Sequence, residues 1–312
     1  MKQTFFFFTF FVAGVFAHAA PYALVNMGPE FKTFVGQYRN SSSDEKWAGW
    51  KAFESKYPVY FDVGLCPASD SGCELKKKTR LDMLFTEMPK FESQMWDLFD
   101  RADALTAVQF GRFKNAFPDL QEDTPIVFMP SLLSFNGKGV DLPNGKAALL
   151  IGVDFTSMRG HDLDVLFSHE FFHVYQFAKL QGKEKFVTMS SPLWFEGFAT
   201  WISTYLNPNA SEAAVLMNTE LADYCVTPGN IKKMAQEYLG LYLVGHDDQK
   251  YSDTYKEWFT ASGTIQPQRR GYCLGLAVIR EVMKTKSLAE VTGLDEKGFN
   301  PLVAKALADL AK

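Results

Sequence analysis

Asp162-Leu163-Asp164-Val165-Leu166-Phe167-Ser168-His169-Glu170-Phe171-Phe172-His173-Val174-Tyr175-Gln176-Phe177-Ala178-Lys179-Leu180-Gln181 is the stretch whose reading decides the fold. Its spacing predicts a helix over 162–181. At 3.6 residues per turn, Val165, Leu166, Gln176 and Leu180 gather around His169 and His173, while Phe167, Phe171, Val174 and Ala178 take the opposite side. Only Asp164, Ser168, Tyr175 and Lys179 form a polar stripe. A helix that is apolar on both faces belongs in the middle of a fold, and Gly182 behind it is a plausible C-terminal cap. On such a helix His169 and His173 stand one turn apart on one face, so both imidazoles can reach a single metal ion. Glu170, offset by one position, can approach a water at that ion without ligating it. Two core histidines bonded to backbone would also account for the pair, and the His-Glu-x-x-His pattern is short enough to arise by chance. Support has to come from elsewhere in the chain.

Leu193-Trp194-Phe195-Glu196-Gly197-Phe198-Ala199-Thr200 provides it. A catalytic zinc takes three protein ligands and leaves a fourth position for water. Beyond the first nineteen residues the only other histidines are His161 and His246, and a carboxylate from a following helix is the other common solution. Ser191 is expected to cap that helix, with Pro192 at its first position. Glu196 then falls in the first turns and shares a face with Ala199, Thr200 and Ser203. Those three are small, so the face can approach the motif helix closely, while Trp194, Phe195, Phe198 and Trp201 cover the other sides. A lone Glu near a helix start is usually a surface residue favoured by the helix dipole. The small face and the motif upstream favour a metal ligand.

Ile126-Val127-Phe128-Met129, closed by Pro130, reads as a strand, and so do Gly139-Val140 and the run 147–153; Asn136-Gly137 and Asn144-Gly145 mark turns. A small, largely antiparallel sheet is therefore expected before residue 160. The region 30–117 looks mainly helical, with Leu81, Met83, Leu84, Met88, Phe91, Met95, Leu98 and Phe99 near helical spacing and Pro89 as a break. Past the motif, helices are expected at 192–205, 211–224, 231–243, 271–284 and 301–310. The fold class is thus α+β and mainly helical. It comprises one region, 20–312, with a helical part (20–117), the sheet and metal-site helices (118–205) and a second helical part (206–312).

The chain has 312 residues, 47% hydrophobic, and a net charge of −4, which suits a globular protein and offers no basic surface for nucleic acid. One basic run, Lys76-Lys77-Lys78-Thr79-Arg80, reads as a solvated helix face. Lys2, the apolar stretch 5–16 and Ala17-His18-Ala19 have the form of an export signal cleaved after Ala19. That apolar stretch is short for a membrane span, and no stable membrane anchor is expected. The protein is expected to be secreted or periplasmic. Four cysteines follow the signal, and in an exported chain an even count favours disulfides; Cys66–Cys73 and Cys225–Cys273 are the natural pairing, with two other pairings open.

At His169, Glu170, His173 and Glu196 the chain resembles the gluzincin-type metallopeptidases. More narrowly, it resembles the predicted zinc-dependent proteases in which His-Glu-x-x-His precedes a helix bearing Glu-Gly-x-Ala, here Glu196-Gly197-Phe198-Ala199. The likeness is specific over about 149–205 and weaker outside. It implies a zincin-like fold in which the strand 147–153 is the sheet edge lining the substrate cleft. It also implies one zinc per chain held by His169, His173 and Glu196, Glu170 as general base, and a peptide or protein substrate. In many gluzincins an Asp four residues after the Glu ligand orients one imidazole. That position is Thr200, which can accept a hydrogen bond but brings no charge. Arg270-Gly271-Tyr272-Cys273-Leu274-Gly275 resembles a Tyr-bearing segment of the same proteases. Tyr272 is therefore a candidate oxyanion donor, or else a packing residue, with His246 as the alternative donor. A zinc hydrolase of non-peptide amides and a zinc-containing binding protein without turnover are the competing readings; a general base such as Glu170 has no use in the latter.

Overall fold

The computed structural model describes residues 22–66, 71–181, 183 and 186–312. The expected export signal, most of the turn between Cys66 and Cys73, and Gly182 lie outside the described residues.

Residues 23–26 form a strand, β1 (Ala23–Asn26), where only helix was expected. Helices α1 (Gly28–Tyr38), α2 (Ser43–Glu54), α3 (Pro58–Gly64), α4 (Ser71–Glu87), α5 (Glu92–Asp100) and α6 (Ala102–Ala116) follow. Pro89 breaks the chain as predicted, inside a 3-10 turn at Met88–Lys90. The basic run lies on α4, but it is not simply solvated: Lys77 is buried and its ammonium lies 2.5 Å from Glu54.

Three further strands, β2 (Pro125–Met129), β3 (Gly137–Asp141) and β4 (Ala147–Gly152), complete a four-stranded sheet of order β1-β2-β4-β3. The sheet is mixed, which corrects the largely antiparallel expectation. β1 runs parallel to β2 and β2 parallel to β4, and only β3 and β4 pair antiparallel. The residue types account for the order. β2 and β4 are nearly continuous apolar runs, buried along almost their whole length, as inner parallel strands must be. β3 carries Gly137, Lys138, Gly139 and Asp141, a composition suited to an edge. β1 and β3 are therefore the edges, and the strand at 147–152 is an inner one, contrary to what the family resemblance implied.

Helix α7 (Val153–Arg159) leads to α8 (Leu163–Lys179), the motif helix, whose N-terminal amides at Asp164 and Val165 are accepted by the Asp162 side chain. Next comes α9 (Ser190–Leu206), which begins earlier than expected. Ser191 is not its cap: Met189 holds that place without a side-chain bond, and Pro192 is the third helical residue. The start is fixed instead by tertiary bonds, the amides of Met189 and Ser190 donating to the carbonyls of Val244 and Tyr242. The single helix expected at 211–224 is two, α10 (Glu212–Val215) and α11 (Thr219–Val226), interrupted at Met217 with φ 52°. After α12 (Asn230–Tyr238), an unforeseen α13 (Gln249–Phe259) precedes α14 (Arg270–Val282) and α15 (Leu288–Val291). The final helix, α16 (Glu296–Leu310), starts before Pro301 and contains it.

One continuous apolar core runs from Met27 on the sheet side to Leu307 on α16. Helix α8 sits at its centre. Phe171 packs on Phe113 of α6, Phe172 packs on Phe198 of α9, and Val174 lies against Gly139 of β3. The predicted polar stripe is half buried: Asp164 and Lys179 are exposed, while Ser168 and Tyr175 are covered by partners. Ser168 meets Gln109 and Asn207, and Tyr175 donates to Asp119 at 2.7 Å. Both expected disulfides are present, Cys66–Cys73 and Cys225–Cys273. Among the described residues no helix is long and apolar enough to cross a membrane.

Candidate metal centre

The small face of α9 meets α8 as the sequence implied. Ser203 Oγ donates to the Val165 carbonyl at 3.2 Å, so the two helix backbones run close and Glu196 is delivered to the two histidines. His169 Nε2 and His173 Nε2 are 3.3 Å apart; Glu196 Oε2 lies 3.3 Å from the first and 3.5 Å from the second. The two histidines are buried and Glu196 is nearly so. Among the described residues this is the one group of three or more His, Cys, Asp or Glu side chains whose atoms converge closely enough for a metal.

The fit can be tested on these separations. Four ligands around zinc at ~2.0–2.1 Å in tetrahedral geometry stand ~3.3–3.4 Å from one another. The observed edges of 3.3, 3.3 and 3.5 Å match that triangle. The donor set, two imidazole nitrogens and a carboxylate oxygen, is also the chemistry a zinc ion takes. The electrostatics agree. Burial alone would raise the Glu196 carboxyl, but the adjacent His173 and His169 outweigh it and hold the group well below the usual carboxylate range. Glu196 is thus ionised and ready to ligate.

The imidazoles are not oriented as the resemblance implied. Thr200 donates its hydroxyl to the Glu196 carbonyl at 2.7 Å, so it is not engaged with either ring. Both Nδ1 atoms are buried without a protein hydrogen-bond partner. Aromatic stacking orients the rings instead. The His173 ring lies against Phe177 at 5.6 Å and the His169 ring against Tyr272 at 6.0 Å, each nearly parallel.

The cluster opens onto a cavity of about 450 Å³ whose wall includes Glu170, Gly137, Lys138, His161, Arg269 and Tyr272. Glu170 stands beside the three ligands and outside their cluster, packed over Gly137 of the edge strand. A larger cavity of about 620 Å³, bordered by Asp119, Lys146 and Lys179, holds no such cluster, and Phe177 lies on the border of both. His161 faces the metal-site cavity but is not among the three converging residues. Burial, then Arg269 and Arg159, pushes its pKa down to about 4, so it is neutral at pH 7. His246 is exposed, set at a tilt against the Tyr251 ring and bordering a separate hollow, which removes it as an oxyanion donor.

Sequence reasoning missed three participants. Arg269 caps α14 in left-handed backbone (φ 61°), with its guanidinium carbon 4.2 Å from the centre of the Tyr272 ring. Lys138 stands on the edge strand. Asp154, fully buried, holds the loop before that strand: its carboxylate accepts from the Ser131 amide and hydroxyl and from the Leu133 amide at 2.6–2.8 Å. Leu132 and Leu133 both adopt positive φ there (52° and 54°), a strain the carboxylate offsets. Only Arg269 had an available signal, its place immediately before the segment that begins at Arg270 and bears Tyr272. Comparison with family models, with curated proteins and with solved structures finds no match to this chain, so the case for its chemistry rests on the side chains themselves.

Proposed function

We propose that the chain is an exported zinc-dependent hydrolase of the metallopeptidase type, acting on peptides or proteins. The observation that carries this reading is the convergence of His169, His173 and Glu196 at tetrahedral-edge spacing on the wall of an open cavity, with Glu170 adjacent and uncommitted. His169, His173 and Glu196 would hold the ion. Zinc bound there supplies Lewis-acid polarisation of a carbonyl and makes water acidic enough to ionise near neutrality.

The chain's own residues do the rest. Glu170 takes the proton of the attacking water and hands it to the leaving amine. Tyr272 is the donor for the developing oxyanion. Burial, reinforced by the Glu196 carboxylate, raises its phenol above the ordinary value, so it stays protonated and its O–H can donate. Edge strand β3 lines the cavity through Gly137, Lys138 and Gly139 and offers backbone groups to an extended substrate. Two disulfides fit an oxidising compartment and support export.

The test combines metal analysis with turnover on a broad peptide library. One zinc per chain is expected, lost in His169→Ala and in His173→Ala. Glu170→Gln should keep zinc and fold while turnover falls ~10²–10⁴-fold. Glu196→Gln should lose metal affinity together with activity, because an amide is the poorer ligand. Full zinc in both histidine variants, or wild-type turnover in zinc-loaded Glu170→Gln, would refute the assignment.

A further inference from the structure

Two cations border the metal-site cavity without a carboxylate of their own. Lys138 places its ammonium 4.8 Å from the centre of the Phe135 ring, and burial holds its pKa below the usual amine value despite the pull of Glu170. Arg269 holds its guanidinium carbon 4.2 Å from the centre of the Tyr272 ring. Among the described residues no Asp or Glu oxygen lies within 4.0 Å of either charge. The next residue, Arg270, shows the contrast: its guanidinium is paired with both Glu237 oxygens at 2.8 Å.

Arg269 also adopts backbone that costs a non-glycine residue free energy, a cost retained only where the surroundings over-determine the geometry. The positive charges of Lys138 and Arg269 are offset at longer range by Glu170 and Glu196. With His169, His173 and Glu196 holding a divalent ion, the Glu196 charge would be committed and the cavity would carry a positive excess. A planar guanidinium in that setting is built to take a carboxylate through two parallel hydrogen bonds.

We propose that Arg269, assisted by Lys138, anchors a carboxylate of the substrate beside the scissile bond, so that the substrate class is an anionic peptide whose carboxylate is its C-terminus or an Asp or Glu side chain. This rests on the peptidase reading above.

The experiment uses zinc-loaded Glu170→Gln protein, full chain with both disulfides, and one tetrapeptide made in four forms. The C-terminus is free or amidated, and the third residue is Glu or Gln. Binding is measured by calorimetry, so the readout does not depend on turnover. At least one carboxylate-bearing form should bind ~10-fold or more tightly than the amidated Gln form, the margin of a charge-assisted bond. Preference for the free C-terminus assigns the anchor to a chain end, and preference for Glu assigns it to an internal acidic residue. Arg269→Asn, added to the same background, keeps a residue that tolerates left-handed backbone and should erase the preference. Lys138→Gln should reduce it. Equal binding of all four peptides overturns the proposal even if Arg269→Asn fails to fold, and so does a preference that survives in a folded Arg269→Asn protein. Wild-type protein given the same peptides separates the two readings. Carboxylate preference without cleavage of any peptide removes the peptidase and leaves the anchor. Cleavage without preference removes the anchor alone.

Discussion

Gly137 shows how one missing side chain sets the chemistry. A Cβ there would lie 2.7 Å from Glu170 Cγ, inside contact distance. Gly137→Ala must therefore swing the carboxylate off its place over the edge strand, while His169, His173 and Glu196 are untouched. Zinc content should stay at one per chain and kcat should fall by ~10-fold or more, since small misplacements of a catalytic group are costly. An unchanged kcat would mean that Glu170 is not positioned by β3. His161 gives a second residue-scale expectation. Its pKa is pushed from 6.5 to about 4 by burial and by the two neighbouring arginines. The unfolded chain therefore binds the extra proton first as pH falls; the contribution is complete above 6.5 and is lost as pH drops through about 4. Partial exposure trims it to about 1 kcal/mol. Urea unfolding of His161→Asn should show a shallower loss of stability over that window than wild type; identical slopes would assign the loss to other groups. At this scale the sequence was most legible for side chains that sit four apart on one helix. Arg269, Lys138 and Asp154 were illegible because their roles come from loops and an edge strand folded beside that helix.

Between elements the decisive contact is glycine on glycine. A Cβ on Gly197 of α9 would lie 2.4 Å from the Gly275 carbonyl carbon of α14, and one on Gly275 would lie 2.7 Å from Gly197 Cα and from the Leu193 oxygen. The two backbones touch, and that contact brings Tyr272 over the His169 ring. Backbone atoms cannot step aside as a flexible side chain can, so Gly275→Ala should destabilise the fold by about 2–3 kcal/mol in urea. It should also lower kcat, because Tyr272 moves with α14, and wild-type stability would show that the helices can separate at little cost. Element order was harder to read than element existence. The Asn144-Gly145 turn correctly joins β3 and β4, a local pairing. The pairing of residues 23–26 with 125–128 joins segments about a hundred residues apart, and no local pattern announces it. β4 then becomes an inner strand and β3 the cavity edge. Likewise α9 starts where Val244 and Tyr242 accept its first amides, which Ser191 and Pro192 could not reveal.

Across the whole molecule, the candidate metal ligands and the residues proposed to meet substrate from α14 ride on different parts of the chain, and a disulfide holds one part in place. His169, His173 and Glu196 belong to α8 and α9, while Arg269 and Tyr272 belong to the start of α14. Cys273, buried and adjacent to Tyr272, is bonded to Cys225 of α11 across 48 residues. Closing a loop of that size removes unfolded-chain entropy equivalent to about 4 kcal/mol, against about 2 kcal/mol for the seven-residue separation of Cys66 and Cys73. Both pairings were readable because each joins the cysteines nearest in sequence. Their consequences differ. Replacing Cys225 and Cys273 together by Ala should lower urea stability by up to about 4 kcal/mol, roughly twice the loss from the Cys66 and Cys73 pair. Zinc stoichiometry should survive in molecules that remain folded, because neither α8 nor α9 is linked by the bond. Turnover should fall nonetheless, since α14 loses the tether that holds Arg269 and Tyr272 against the cavity. Zinc content, urea midpoint and kcat measured on one preparation separate these effects. Loss of zinc at a temperature where the variant is fully folded would mean that the metal ligands and α14 form one cooperative unit, with no division of labour between them.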